Sequence, residues 1–207
     1  IMNVPVWPLH AANRVRRMVV STYQAVSGAG AWGLWELDWQ IKAYAAGQPI
    51  TPEKFPHQIV HNLFAHNSAV GANGYNEEEN KMVNETRKIF NAPAIMITAT
   101  CVRVPVPRAH CESINLEFEK PMTVAQARAI LAKAPGVKIV DEPEKNHFPM
   151  PIEASHQDDV LVGRIRQDIS RSDGRGLDLF VAGDQIRKGA ATNAIQIAQL
   201  LVAKKWL

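Results

Sequence analysis

Cysteine is scarce in this sequence, with two residues in 207, Cys101 and Cys111. Two thiols do not build a disulfide framework in a domain of this size, and without close spacing and histidine partners they do not build a zinc site. A reducing, intracellular setting is the expectation. An excess of charge of either sign is also missing. Lys and Arg number 23 against 20 acidic residues, a formal net charge of +3, and the basic residues are spread along the chain. That excludes a nucleic-acid arm and a polybasic membrane segment. No apolar run reaches the length needed to cross a bilayer, so neither nucleic acid nor membrane is an expected partner. Ile1 to His10 lack the charged start and apolar middle of a secretory leader. A first residue other than Met is expected of a partial chain. Repeats and low-complexity segments are absent as well.

What remains is ordinary globular material, 46% hydrophobic and 21% charged, enough for one large domain or two small ones. Arg17 to Tyr23 reads as an apolar, β-branched strand running into the glycine-bearing loop Ser27-Gly28-Ala29-Gly30. Trp32, Trp35 and Trp39 then recur at helical spacing, which predicts a buried helix stripe. Pro52 and Pro56 mark an irregular stretch near His57, His61 and His66. Three loop histidines without a ligating carboxylate pattern and its supporting groups do not make a metal site, so no metal is expected. Asn76 followed by three glutamates is a helix start, a capping side chain and then acids at the positive end of the dipole. Met82, Val83, Ile89 and Phe90 would form that helix's apolar face. Ile95 to Val104 reads as a strand stopped by Pro105 and Pro107. Ile114, Leu116 and Phe118 alternate on one face of another strand. Thr123 to Lys133 reads as a short helix stopped at Pro135-Gly136, with strands at Val137–Val140 and Leu177–Val181. The segment from Arg187 to Lys204 predicts a helix with Ala190, Ala194, Ile197, Ala198 and Leu201 inward. Alternating strands and helices imply an α/β (α+β) domain around a mixed sheet.

A few polar groups stand out by position. Gln24 ends a strand beside a glycine loop, where backbone and amide can both approach a ligand. Glu78 and Lys81 are spaced i, i+3 on one helix face, as a solvated ion pair would also be. Arg103 and His110 flank the proline-broken stretch. Their odd spacing puts them on opposite faces of an ideal strand, so they converge only if the chain turns between them. Taken alone, His110 reads equally as a structural histidine.

The stretches VVSTYQAVSGAG, GYNEEENKMVNETRKIF, TCVRVPVPRAH, NHFPMPIEAS, VGRIRQD and GDQIRKGAATNAIQIAQLL follow one another across nearly the whole chain. In order and approximate spacing they resemble the aspartate-semialdehyde dehydrogenases. The resemblance implies an NADP-dependent enzyme that converts aspartate semialdehyde and phosphate reversibly to aspartyl phosphate, early in lysine, methionine and threonine synthesis. It further implies that Gln24 orients the substrate, Glu78 contacts its amino group, Lys81 binds phosphate and Arg103 grips its carboxylate. His110 would be the acid/base partner of a nucleophilic cysteine. Ser27, Gly28 and Gln185 would touch the nicotinamide end of NADP. The fold implied is similar to the catalytic domain of the glyceraldehyde-phosphate dehydrogenase group, with helices on one sheet face and a homodimer interface on the other.

Two features depart from the family pattern. Ala109 precedes the histidine and Cys111 follows it, where the family has a small residue and then serine or threonine. The family's nucleophile stands a few residues before the segment matched by Pro8-Leu9-His10, about four residues ahead of Ile1. The expected division is a catalytic and dimerisation domain over 1–184, followed by a helix over 185–207 that packs on a nucleotide-binding domain. On this reading the 207 residues alone are inactive, and the terminal helix lacks a partner. The other reading is a shortened, non-catalytic relative serving as a structural or binding subunit. The enzyme predicts a polar pocket where Gln24, Glu78, Arg103 and His110 meet, whereas the scaffold predicts a filled one. Bacterial cytoplasm and a plant or algal plastid both suit the family.

Overall fold

A computed structural model describes residues 1–206. Its centre is a seven-stranded mixed sheet in the order β2-β3-β1-β4-β7-β6-β5. The strands are β1 (Val15–Gln24), β2 (Phe64–Ala65), β3 (Met96–Arg103), β4 (His110–Phe118), β5 (Val137–Ile139), β6 (Val160–Gln167) and β7 (Gly176–Gly183). β1 lies centrally, parallel to β3 and antiparallel to β4. The mixed sheet expected from the sequence is therefore present.

Alternation decides which face is covered. Met18 and Val20 of β1, Ile114, Leu116 and Phe118 of β4, and Leu177, Leu179 and Val181 of β7 all enter the main core. Three helices cover that face: α1 (Asn3–Ala12), α3 (Glu77–Ile89) and α4 (Val124–Leu131). Val6 and Leu9 of α1 and Leu131 of α4 are fully buried there. The opposite face holds a smaller cluster of Ala109, Cys111, Leu161 and Ala182 under the short α5 (Pro151–Ala154). Tyr23 on that side stays 40% exposed.

Capping fixes two of the covering helices. Asn76 and Glu79 form a reciprocal capping box at α3, as Thr123 and Gln126 do at α4, satisfying N–H groups that each helix start would otherwise leave free. Glu79 also accepts the Cys101 N–H at 3.0 Å, which pins α3 against β3. α1 holds its form despite Pro8 inside it, because burial of Val6 and Leu9 outweighs the hydrogen bond that proline removes.

Three expectations about helix faces need correction. In α2 (Ala31–Ala45) Trp32 and Trp35 point outward, 58% and 48% exposed, and Trp39 is half-buried. The inward face is Gly33, Glu36, Leu37, Gln40 and Ala43. Its polar members are buried because they serve the following loop. Glu36 accepts N–H bonds from Glu53, Lys54 and Phe55, and Gln40 accepts from Ile59 and Val60. In α3, Ile89 is exposed and Thr86 is buried in its place. The last segment is a π-helical turn, Arg187–Ala191, running into α6 (Thr192–Ala203). None of its residues is buried, so Ala190, Ala194, Ile197, Ala198 and Leu201 do not pack inward. No helix among the described residues is long and apolar enough to cross a membrane.

Candidate active site

Four strand ends meet at one edge of the sheet. Gln24 closes β1 directly opposite Arg103, which closes β3, and His110 opens β4 opposite Gly183 at the end of β7. The chain does turn between Arg103 and His110. Ala109 makes the last step at φ 70, a left-handed conformation that opposes a β-carbon by about 1–2 kcal/mol. Gln24, Arg103 and His110 consequently share the helix-covered face. There the start of α1 and the side of α3 close a pocket of about 320 Å³ whose walls include Gln24, Gly28, Glu78, Lys81, His110 and Gln185.

Ser27 and Arg103 stand directly behind that wall. Ser27 Oγ accepts from Gln185 Nε2 at 2.5 Å. A β-carbon on Gly28 would come within 3.2 Å of both Arg103 Nη1 and His110 Nε2, so a larger residue would press these side chains aside by a few tenths of an ångström. On α3, Glu78 accepts from Gln24 Nε2 at 3.2 Å and from Lys81 Nζ at 3.0 Å. The i, i+3 pair is thus an ion pair and part of the pocket wall. The eight candidate site residues, Gln24, Ser27, Gly28, Glu78, Lys81, Arg103, His110 and Gln185, therefore share one neighbourhood.

Arg103 is 3% exposed and bonds to no carboxylate. Its Nη1 donates to the Ala25 carbonyl at 2.6 Å, Nη2 lies 2.8 Å from His66 Nε2, and Nε has no partner. Its guanidinium carbon sits 5.9 Å from the centre of the Phe55 ring. His110 Nδ1 accepts the Ala25 N–H at 3.0 Å, so the neutral ring carries its proton on Nε2. Burial, and then the Arg103 guanidinium, push the His110 pKa down to about 3. Burial opposes the charge on Glu78, yet its bonds to Lys81 and Gln24 prevail and keep it below the ordinary glutamate value.

Sequence reading missed Glu112. It lies two residues beyond His110 and so on the same strand face, lines the pocket and is 6% exposed. Burial raises its pKa, only partly offset by the main chain of Met2. The period-two spacing from His110 was the available signal. Asp184 was missed too. It is fully buried and accepts from Arg108 Nε and the His156, Ile186 and Arg187 N–H groups, which fixes the loop that carries Gln185. Among the described residues no cluster suits a metal, and of the three loop histidines only His66 turns to the site.

Buried polar atoms normally find partners. Gln24 Oε1, Arg103 Nε, Glu112 Oε2 and Gln185 Oε1 have none, and all four belong to this neighbourhood. A buried guanidinium hydrogen-bonded to no carboxylate, with Glu78 the opposite charge nearby, is the arrangement expected of an anion site in an α/β enzyme.

The semialdehyde dehydrogenase dimerisation-domain model matches residues 6–188. The chain is 56% identical over 207 residues to aspartate-semialdehyde dehydrogenase from Synechocystis sp., covering all of this chain and 61% of that protein. It is 50% identical to the enzyme of the same name from Aquifex aeolicus, over 97% of this chain and 59% of the relative. The solved structure of aspartate semialdehyde dehydrogenase II complexed with ASA from Vibrio cholerae superimposes with a TM-score of 0.93 at 42% identity, over 98% of this chain and 59% of that one. The chain belongs to the semialdehyde dehydrogenase family, as a C-terminal, dimerisation-domain portion. It spans about three-fifths of the length of these relatives.

Proposed function

We propose that this chain forms the substrate-binding and dimerisation half of an NADP-dependent aspartate-semialdehyde dehydrogenase that works early in lysine, methionine and threonine synthesis. The observation that carries the reading is the buried, carboxylate-free Arg103 among three other unpartnered polar atoms at one pocket. A guanidinium in that state is set to take a carboxylate on its planar edge. Glu78, anchored by Gln24 and Lys81, offers an anion to the substrate's ammonium group, and Lys81 offers a cation to phosphate.

His110 is the proton carrier. Free of ligand it is neutral, with its proton on Nε2. A carboxylate bound at Arg103 cancels the positive charge that helps depress the ring, which brings His110 closer to a working base. The nucleophile would be a cysteine of the whole enzyme outside these 207 residues, and Ile1 lines the pocket. Cys101 and Cys111 are unsuited to that role, because burial pushes their thiols up to about 11 and about 12. For the cofactor, the unpaired Gln185 Oε1 and the side-chain-free Gly28 fit a carboxamide-bearing ring. Ser27, Gly28 and Gln185 would hold it, and NADP supplies the hydride acceptor when bound. The open sheet face around Tyr23 would be the homodimer interface, and the exposed apolar side of α6 would pack on the nucleotide-binding domain.

The test is NADP reduction dependent on both semialdehyde and phosphate by the polypeptide as isolated from its source, with its intact mass. A mass above 22.9 kDa by roughly one nucleotide-binding domain, with activity abolished by His110→Ala, supports the enzyme. A mass of 22.9 kDa, no turnover and a tightly retained partner would favour the structural-subunit reading.

A further inference from the structure

Arg103 is held in an unusual way. Buried arginines are ordinarily fixed by Asp or Glu, which also neutralises them. Here the guanidinium is fixed by neutral groups alone: the Ala25 carbonyl, the more distant Gln24 carbonyl and the imidazole of His66. His66 Nε2 lies 2.8 Å from Arg103 Nη2, and the ring must accept there, since arginine has no acceptor to offer. Because Arg103 can only donate, the neutral ring then carries its proton on Nδ1 and gives it to Ser68 Oγ at 3.1 Å. The Ser68 N–H, 3.3 Å from the same nitrogen, is a close approach that this tautomer leaves unbonded. Ser68 Oγ also accepts the Glu78 N–H at 3.3 Å. One short loop therefore ties the cation that faces the substrate's carboxylate to the helix start that faces its ammonium group. The loop is itself anchored to the sheet, with the His66 N–H on the Cys101 carbonyl at 2.9 Å.

We propose that His66 is the positioning residue of the carboxylate site, an uncharged acceptor that fixes the Arg103 fork while leaving its full charge for the substrate. The proposal rests on the carboxylate role given to Arg103 above. It also yields a pH dependence. The groups facing His66 are Arg103 on β3, His110 on β4, and Glu78, Glu79 and Lys81 on α3. Burial and then Arg103 lower the His66 pKa, more than the glutamates raise it. At neutral pH the ring accepts. Protonation in acid removes the acceptor and sets a second positive charge against the guanidinium.

The experiment titrates the polypeptide as isolated with L-2-aminobutyrate, the substrate skeleton without its aldehyde. Wild type, His66→Gln, His66→Leu and Arg103→Leu are compared, with imidazole nitrogen NMR of the wild type alongside. Loss of a charge-assisted hydrogen bond should weaken binding by His66→Leu about ten- to hundredfold at neutral pH. His66→Gln, whose amide oxygen also accepts, should stay within about threefold. It should lack the weakening that wild type undergoes as pH falls below the ordinary imidazole range. The wild-type spectrum should place the His66 proton on Nδ1. Wild-type affinity in His66→Leu, a His66→Gln as weak as His66→Leu, or a neutral ring protonated on Nε2 would each overturn the assignment. If His66→Leu fails to fold, His66→Gln and the spectrum decide. Unchanged binding by Arg103→Leu would instead remove the carboxylate role of Arg103, while the spectrum still judges the His66 contact.

Discussion

Replacing His110 with glutamine should flatten part of the protein's acid sensitivity, and the size of the effect follows from the structure. Burial and the neighbouring Arg103 hold the His110 pKa at about 3, whereas an unfolded imidazole titrates near about 6.5. Between those values the unfolded chain takes up a proton that the folded chain refuses. Stability is therefore intact above the unfolded value and falls as pH drops, by about 1.4 kcal/mol per unit. At about pH 5, roughly 1.5 units down, His110 alone should have removed about 2 kcal/mol. Glutamine does not titrate, yet it can still accept the Ala25 N–H. His10 and His66, also lowered by burial, are present in both proteins and cancel in the comparison. Urea unfolding at about pH 7, 6 and 5 should show wild type losing about 2 kcal/mol more than the variant. Parallel losses in the two proteins, or a His110 ring seen by NMR to titrate near its unfolded value, would refute the account of a ring kept neutral by burial and Arg103.

Other consequences are simpler to read. With thiols raised to about 11 and about 12, Cys101 and Cys111 should resist iodoacetamide at mildly alkaline pH and react promptly in urea. Labelling of the folded protein at the rate of the unfolded one would contradict their burial. Asp184→Ala leaves Arg108 and three N–H groups without their acceptor. It should lower unfolding stability by about 3 kcal/mol, and a change under about 1 kcal/mol would deny Asp184 its anchoring role. Asn76→Ala removes half of a capping box and should lower stability by about 1 kcal/mol in the same assay, with the far-ultraviolet spectrum otherwise kept.

Much of the sheet could be read in advance because its signals are local. The β4 alternation of Ile114, Leu116 and Phe118, the Asn76 cap and the proline stop after β3 each depend on neighbours in sequence. The residues of the candidate site could be gathered through motif order, and their convergence required the turn between Arg103 and His110 that the prolines imply. The failures have the opposite character. Trp32 and Trp35 were assigned inward because the pattern rule sends polar residues out. Glu36 and Gln40 took the inside instead, serving loop N–H groups up to 20 residues away. The role of His66 depends on a contact with Arg103 across 37 residues, and Gln185 meets Ser27 across 158. α1 escaped because two prolines mask a helix that only tertiary burial sustains.

The pairing of Gln24 with Arg103 and of His110 with Gly183 makes the binding site a gauge of assembly. A slip of one residue in β1 against β3 would exchange the faces of every side chain on the slipped strand. A misthreaded sheet could still be compact and rich in strand, and bulk spectroscopy would pass it as native. On the proposed function, affinity for a small carboxylate would not, because the fork and the imidazole that would flank it come from different strands. In a refolding screen, ligand response would separate correct threading from mere collapse.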